Sequence, residues 1–215
     1  MIETTELEKR RAIVAACLEM NRLGINQGTS GNISVRHEDY VLITPTSTPY
    51  ETLTASDIVK LNMDGTTEGL LQASSEWRFH RDIMAAKPEV NAIVHSHPIY
   101  STMIAIMGLD IPAIHYMVAV AGGSDIKCAP YATFGTSELS ENAVKALENR
   151  KACLLEHHGI IAVGTSLSNA LWLSVEVETL ARQYHGTLQL GQARVLPPDE
   201  ISRVLEKMGT YGHNK

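Results

Sequence analysis

The chain has 215 residues, a formal net charge of −6, 44% hydrophobic and 20% charged residues, 15 Gly and 8 Pro, close to the average soluble globular protein. A chain of this size buries a full core unaided, and its negative balance without a basic patch excludes nucleic acid as a main partner. Cys17, Cys128 and Cys153 are scattered with no CxxC pair, so neither a disulfide framework nor a cysteine zinc site is expected.

In chain order, MIETTELEKRR carries no apolar core of signal-peptide length, so export is not expected and the cytoplasm is the expected compartment. Thr5-x-x-Glu8 is a capping box, and Ile13, Val14, Cys17 and Leu18 recur at helical spacing, which predicts a helix over 5–23. NISVR (32–36) and YVLIT (40–44) predict two strands of a hairpin. A short polar helix near 54–58 leads into IVKLNM, extended up to the Asp64-Gly65 turn. SSEWRFHRDIMAAK (74–87) predicts a helix that starts at the serines and stops before Pro88. NAIVHSH is a strand, and PIYSTMIAIMG a helix with Pro98 in its first turn. The long apolar stretch from Met103 to Gly123 is broken by Gly108, Asp110, Pro112 and His115, so no membrane span is expected. DIKCAP is a strand, TSELSENAVKALENR (136–150) a helix, and ACLLEHHGIIAVG two short strands or one bent at Gly159. SLSNALWLSVEVETLARQYHG and PDEISRVLEKMG close the chain as helices. Strands and helices interleave without linker or repeat, which predicts one α/β domain over 1–215 with helices covering a mixed sheet.

The chemistry concentrates in a few places. His95 and His97 sit two apart on a strand, so their rings share a face and can converge on one ion at about 2.0–2.1 Å. A third ligand is needed, and His157 and His158 offer it; on an extended segment they point to opposite faces, so only one joins, and spacing does not choose. Ser74-Ser75-Glu76 at a helix start offers amides and hydroxyls to a phosphate without Lys or Arg, although an ordinary N-cap reads the same way. Gly28-Thr29-Ser30-Gly31-Asn32 and Thr44-Pro45-Thr46-Ser47-Thr48-Pro49 are small-residue loops of the same kind, each alone equally well a turn. Lys60 stands in a mainly apolar strand, and no lysine motif suggests a Schiff base.

GTSGNISVR, ITPT, SSEWRFH, the HxH pair, AIHYM, APYATFGT and LLEHHG stand in the order and spacing of the class II sugar-phosphate aldolases. The chain resembles that family, its bacterial fuculose-phosphate branch most, from the first helix to the TYG near the C-terminus. The resemblance implies a three-layer α/β/α fold around a central mixed, mostly antiparallel sheet. It implies one Zn2+ per subunit on His95, His97 and His158, with His157 facing away. Glu76 would be the catalytic acid/base, sitting on the metal until substrate displaces it. Gly31, Asn32, Thr46, Ser47, Ser74 and Ser75 would hold the substrate phosphate. Tyr116 would act across a subunit boundary on the aldehyde oxygen, and Phe134 and Tyr211 would line the aldehyde end. The implied assembly is a homotetramer with sites between subunits. The implied reaction cleaves a small phosphorylated sugar, L-fuculose 1-phosphate, to dihydroxyacetone phosphate and L-lactaldehyde. Breaking a bond beside a ketone leaves an ene-diolate, and a three-histidine zinc with an open position suits that charge.

Two positions depart from the branch. Ser47 stands where it carries Gly, and Pro98 where it carries Ala, a change that a first helical position tolerates. Other deoxyketose 1-phosphates, 5-deoxyribulose and rhamnulose 1-phosphate among them, are alternative substrates. The ribulose-phosphate 4-epimerases share the scaffold but carry Asp at the acid position, so Glu76 favours an aldolase; the three histidines disfavour an adducin-like binding module.

Overall fold

The computed structural model describes residues 5–210, so the expectation for Tyr211 lies outside the described residues. The chain opens with α1 (Glu6–Arg22), whose capping box is formed: the Glu8 amide donates to Thr5 Oγ1 at 3.3 Å and the Thr5 amide to Glu8 Oε2 at 2.7 Å. Its buried stripe is Ile13, Ala16, Cys17 and Met20, while Leu18 stays 43% exposed. The apolar spacing is right for a helix but rotated from the expected one, taking in Ala16 and Met20 and leaving Leu18 outside.

Then come β1 (Asn32–His37) and β2 (Tyr40–Ile43), the expected hairpin, a single 3-10 turn at Ala55–Asp57, β3 (Val59–Asn62) and the two-residue β4 (Thr67–Glu68). The next elements are α2 (Trp77–Ala86), β5 (Ala92–Ser96), α3 (Ile99–Ile106) and β6 (Ile111–Pro112). A 3-10 segment at Tyr116–Ala121 precedes β7 (Asp125–Ala129), α4 (Ser137–Ala146), β8 (Ala152–Leu155) and β9 (Gly159–Gly164). The last elements are α5 (Leu167–Leu190) and α6 (Pro198–Thr210). No helix among the described residues is long and apolar enough to cross a membrane.

The sheet runs β4-β3-β2-β1-β5-β9-β8-β7-β6, antiparallel everywhere except β7 with β8. Strand alternation sorts its residues into two faces. Val41, Ile43, Leu61, Ile93, Ile161 and Val163 pack under Phe79, Ile83 and Met84 of α2 and Leu139 and Ala143 of α4. On the other face Ile33, Leu42, Ala92 and Val94 meet α1, and Leu154, Ile160 and Ala162 meet Ile104 of α3 and Leu173 and Val177 of α5. The architecture is therefore three-layer α/β/α around a mixed, mostly antiparallel sheet, as expected.

Two half-buried charges fix the helices that flank the central strands. Arg36 donates from Nε to the Val90 carbonyl at 3.0 Å and from Nη2 to Met84 at 2.8 Å and Lys87 at 3.4 Å, closing the C-terminal end of α2. From α5, Glu178 accepts the amides of Tyr100 (2.9 Å) and Ser101 (2.8 Å) and the Ser101 hydroxyl (2.7 Å), capping the start of α3. Pro98 stands at the N-cap of α3 rather than inside its first turn, with extended backbone and no side-chain bond, and Glu178 supplies what it lacks.

Candidate active site

The centre of the sheet brings the expected histidines together. Ile93 faces α2, so His95 and His97, at two-residue steps, follow it onto that face, while Ser96 turns the other way to Ser174 at 3.1 Å. His158 arrives from the turn between β8 and β9. That turn is not the extended segment the sequence suggested: His157 adopts a left-handed conformation (φ 55°), and this reversal separates the two rings. His157 is exposed, its ring 6.0 Å from that of Tyr131, and His158 joins the cluster. Gly159 makes the approach possible, since a Cβ there would lie 2.5 Å from the Ser96 carbonyl oxygen and 2.7 Å from His97 Cδ2.

The three ring centroids stand 4.8, 4.8 and 4.9 Å apart. The Nε2 atoms of His95 and His97 are 2.9 Å from each other, Glu76 Oε2 is 3.1 Å from His95 Nε2, and Glu76 Oε1 is 3.3 Å from His158 Nε2. A tetrahedral ion with ligands at about 2.1 Å has ligand–ligand edges of about 3.4 Å, close to these spacings. His95 Nδ1 lies 2.8 Å from the Ile160 carbonyl and must donate to it, which leaves the Nε2 lone pair facing the cluster. Glu76 Oε1 is buried without a hydrogen-bond donor. An orphaned carboxylate oxygen beside converging imidazole lone pairs is the donor set a divalent cation would satisfy. The residues present therefore fit a metal.

The protonation states agree. Burial pushes His97 down to about 3, helped by His95 and His158, and burial with His95 pushes His158 down to about 4, so both rings keep free lone pairs at neutral pH. Burial alone would raise the Glu76 carboxyl; charge and hydrogen bonding from His95, with His158 and Asn32, outweigh it and hold Glu76 well below the usual carboxylate range.

Glu76 is not a first-turn residue. The helix begins at Trp77, and Glu76 is its N-cap, in the bridge region at φ −99°, ψ 13°. The serines precede the helix because the Ser74 amide donates to the Thr44 carbonyl (3.0 Å) and its own carbonyl accepts from Trp77 (3.1 Å), forming a turn. Ser74 Oγ accepts from the Glu76 amide at 3.3 Å, and Ser75 is exposed.

The small-residue loops gather beside this turn. The Thr46 amide donates to Gln72 O (3.0 Å), and Pro45 bridges Ala73, so Thr46 and Ser47 lie next to Ser74. Ser47 has a left-handed backbone (φ 52°), which accounts for a glycine being suited to that position. Gly31 accepts the Tyr50 hydroxyl on its carbonyl, and a Cβ on it would come within 2.6 Å of the His95 carbonyl. Asn32 is buried, and its side chain bonds Glu76 and His80. A Cβ on Gly135 would lie 2.7 Å from the Ser75 carbonyl oxygen, the Gly135 carbonyl accepts Arg78 Nη1 at 2.8 Å, and the neighbouring Phe134 is exposed. Tyr116 is half exposed, its ring tilted against that of His115 with centroids 4.7 Å apart. A separate cavity of about 340 Å³ between Lys87, Arg150, Lys151 and Gly164 lies at the other end of β9.

Two residues beside the site, His80 and Ser34, carry no functional expectation from the sequence. His80, fully buried, joins Ser34 to Asn32, and its signal was its place one helical turn beyond Glu76.

With the geometry in place, comparison with known proteins is specific. The model of the class II aldolase and adducin N-terminal domain matches residues 11–185. The L-fuculose phosphate aldolase of Escherichia coli K12 is 55% identical over 203 residues, covering 94% of each chain. The 5-methylthioribulose-1-phosphate/5-deoxyribulose-1-phosphate aldolase of Rhodospirillum rubrum is 52% identical over 205 residues, covering 95% of this chain and 93% of its own. A solved L-fuculose 1-phosphate aldolase superposes with a TM-score of 0.92 at 35% identity, over 96% of this chain and 98% of its own. The chain belongs to the class II aldolase and adducin N-terminal domain family.

Proposed function

We propose that the chain, as one domain over 1–215, is a zinc-dependent aldolase that reversibly cleaves L-fuculose 1-phosphate to dihydroxyacetone phosphate and L-lactaldehyde. The observation that carries this reading is the convergence of Glu76 on His95, His97 and His158, with Asn32 bonded to Glu76 and the Pro45–Thr46 loop paired to the segment just before Ser74. Zinc on the three histidines would supply Lewis acidity for the negative charge that builds up as the carbon–carbon bond breaks.

The chain's own residues do the rest. Backbone amides and hydroxyls of Gly31, Asn32, Thr46, Ser47, Ser74 and Ser75 bind the phosphate without a cationic side chain. That grip fixes the reacting carbons beside Glu76. The Glu76 carboxylate, ionised at neutral pH, takes or returns the proton on the carbon of dihydroxyacetone phosphate that acts as nucleophile. Tyr116 of a neighbouring subunit moves the proton on the aldehyde oxygen, and Phe134 and Tyr211 shape the aldehyde end. Support for a homotetramer comes from the apolar side chains left outside: Ile99, Met103 and Met107 around α3 are exposed, as are Tyr116 and Phe134.

Metal analysis of the purified protein with a coupled assay for dihydroxyacetone phosphate tests the reading. Turnover must vanish on chelation, return with zinc, and be lost in Glu76→Ala; full activity of stripped protein or of that variant overturns it. The likeness to the Rhodospirillum rubrum enzyme supports a second reading, cleavage of 5-deoxyribulose 1-phosphate. Relative kcat/KM across a panel of ketose 1-phosphates decides between them. Sedimentation decides the assembly, since a fully active monomer is incompatible with a cross-subunit Tyr116.

A further inference from the structure

Behind Glu76 runs a line of polar side chains that starts at Asn32, at the end of one phosphate loop, and leads away from the histidine cluster. Ser34 Oγ lies 2.7 Å from His80 Nδ1, His80 Nε2 lies 2.5 Å from Asn32 Oδ1, and Asn32 Nδ2 lies 2.9 Å from Glu76 Oε2. All four residues are buried, His80 and Ser34 completely. Two strand residues of β1, two apart on the face toward α2, thus meet two residues one helical turn apart at the start of α2.

The direction of each bond is forced. An ionised carboxylate only accepts, so Asn32 must present its NH2 to Glu76 and its carbonyl oxygen to His80. His80 Nε2 must then carry the hydrogen. With one proton on the ring, Nδ1 is an acceptor, and Ser34 donates to it. The single proton agrees with burial, which with His95 nearby pushes His80 down to about 3. Without the His80 donor the Asn32 amide can turn over, and its oxygen would then face the carboxylate at hydrogen-bond distance.

We propose that His80 is a positioning residue for Glu76: through Asn32 it fixes one carboxylate oxygen, so that the other, Oε1, is held toward His158 and free for the metal or for the substrate proton. Phe79 stacks on the His80 ring at 4.6 Å and holds it in plane, and Ser34 secures its tautomer. The proposal rests on the reading of Glu76 as metal ligand and acid/base. It adds that the acid/base is oriented by Asn32 of β1, itself held by His80 one turn along α2, and not by a capping bond, which its N-cap geometry does not give the carboxylate.

The test compares His80→Leu, His80→Gln and Ser34→Ala in the full-length protein. Zinc affinity of the stripped protein is measured by competition with a chelating dye, alongside kcat, KM and thermal midpoint. Partners behind a metal ligand are typically worth 10–100-fold, so His80→Leu should weaken zinc binding about tenfold and lower kcat about tenfold with KM little changed. His80→Gln keeps an N–H where Nε2 stood and should stay within about threefold on both measures. Ser34→Ala should weaken zinc about threefold, and it carries the test if His80→Leu does not fold. Zinc affinity within twofold of the parent in His80→Leu, or in Ser34→Ala where the leucine variant does not fold, overturns the proposal. So does His80→Gln as impaired as His80→Leu at an unchanged thermal midpoint. A parent that binds zinc yet cleaves no ketose 1-phosphate would defeat the proposed reaction while leaving the zinc-affinity arm to judge His80.

Discussion

Acid should unfold the metal-free protein early, because three imidazoles are buried in uncharged form. Burial pushes His80 and His97 down to about 3 and His158 down to about 4, whereas an imidazole in the unfolded chain titrates near 6.5. Between those limits the unfolded chain binds protons that the native chain refuses, so stability is intact above about pH 7 and is lost as the pH falls. From pH 7.5 to 5.5 each such ring costs about 1.4 kcal/mol, whatever its native value below about 4.5, and three cost about 4 kcal/mol. That is a large part of the 5–15 kcal/mol typical of a folded domain. Urea unfolding of chelator-treated protein at the two pH values measures it. His97→Ala should remove about one third of the pH-dependent loss, a comparison of slopes that the cavity it leaves does not disturb. A loss below about 1 kcal/mol would show that the buried rings accept protons in the native state and would refute the reasoning.

Other outcomes follow from the same geometry. Gly159→Ala puts a Cβ 2.5 Å from the Ser96 carbonyl and 2.7 Å from the His97 ring, where ordinary contact begins near 3.4 Å. It should cost about 2–3 kcal/mol and weaken metal binding as well; a parental thermal midpoint and zinc titration would count against the close approach. Ser47→Gly removes a left-handed strain of about 1–2 kcal/mol and adds about 0.5–1 kcal/mol of unfolded-chain entropy. Its stability should match or exceed the parent by up to about 1 kcal/mol, whereas Ser47→Val should lose at least that much, as urea midpoints will show. Zinc at about 1,000 times its dissociation constant should raise native stability by about 4 kcal/mol, read as a shift in midpoint that chelator reverses.

Much of the fold was legible because the period of the sequence matches the faces that are buried. Ala92 and Val94 alternate with Ile93 and His95, and α1 announces itself by a capping box that forms as written. What escaped has too few residues to carry a period: β4 and β6 are two residues each and exist only because β3 and β7 offer them an edge. Leu18 misleads for a related reason. Helical spacing says that a stripe exists, but that it takes in Ala16 and Met20 and not Leu18 is decided by packing against the sheet.

The site shows the same division between pattern and context. His95 and His97 could be paired from strand alternation alone, whereas choosing His158 over His157 needs a backbone reversal at His157 that no spacing encodes. Glu76 was legible as an acid near a helix start, but its chemistry depends on standing one residue before that helix. As the N-cap it escapes the helical ladder, its carboxylate bonds Asn32 of β1, and His80 from one turn along α2 holds that amide in place. Of the orienting groups, Ser34 and His80 look like ordinary strand and helix residues in the sequence and Asn32 like part of a phosphate loop, because their meaning lies in a contact between elements 44–48 residues apart. Reactive groups thus leave a local trace, in titratable type and spacing. The groups that hold them in register leave almost none, and only the packed sheet brings them into line.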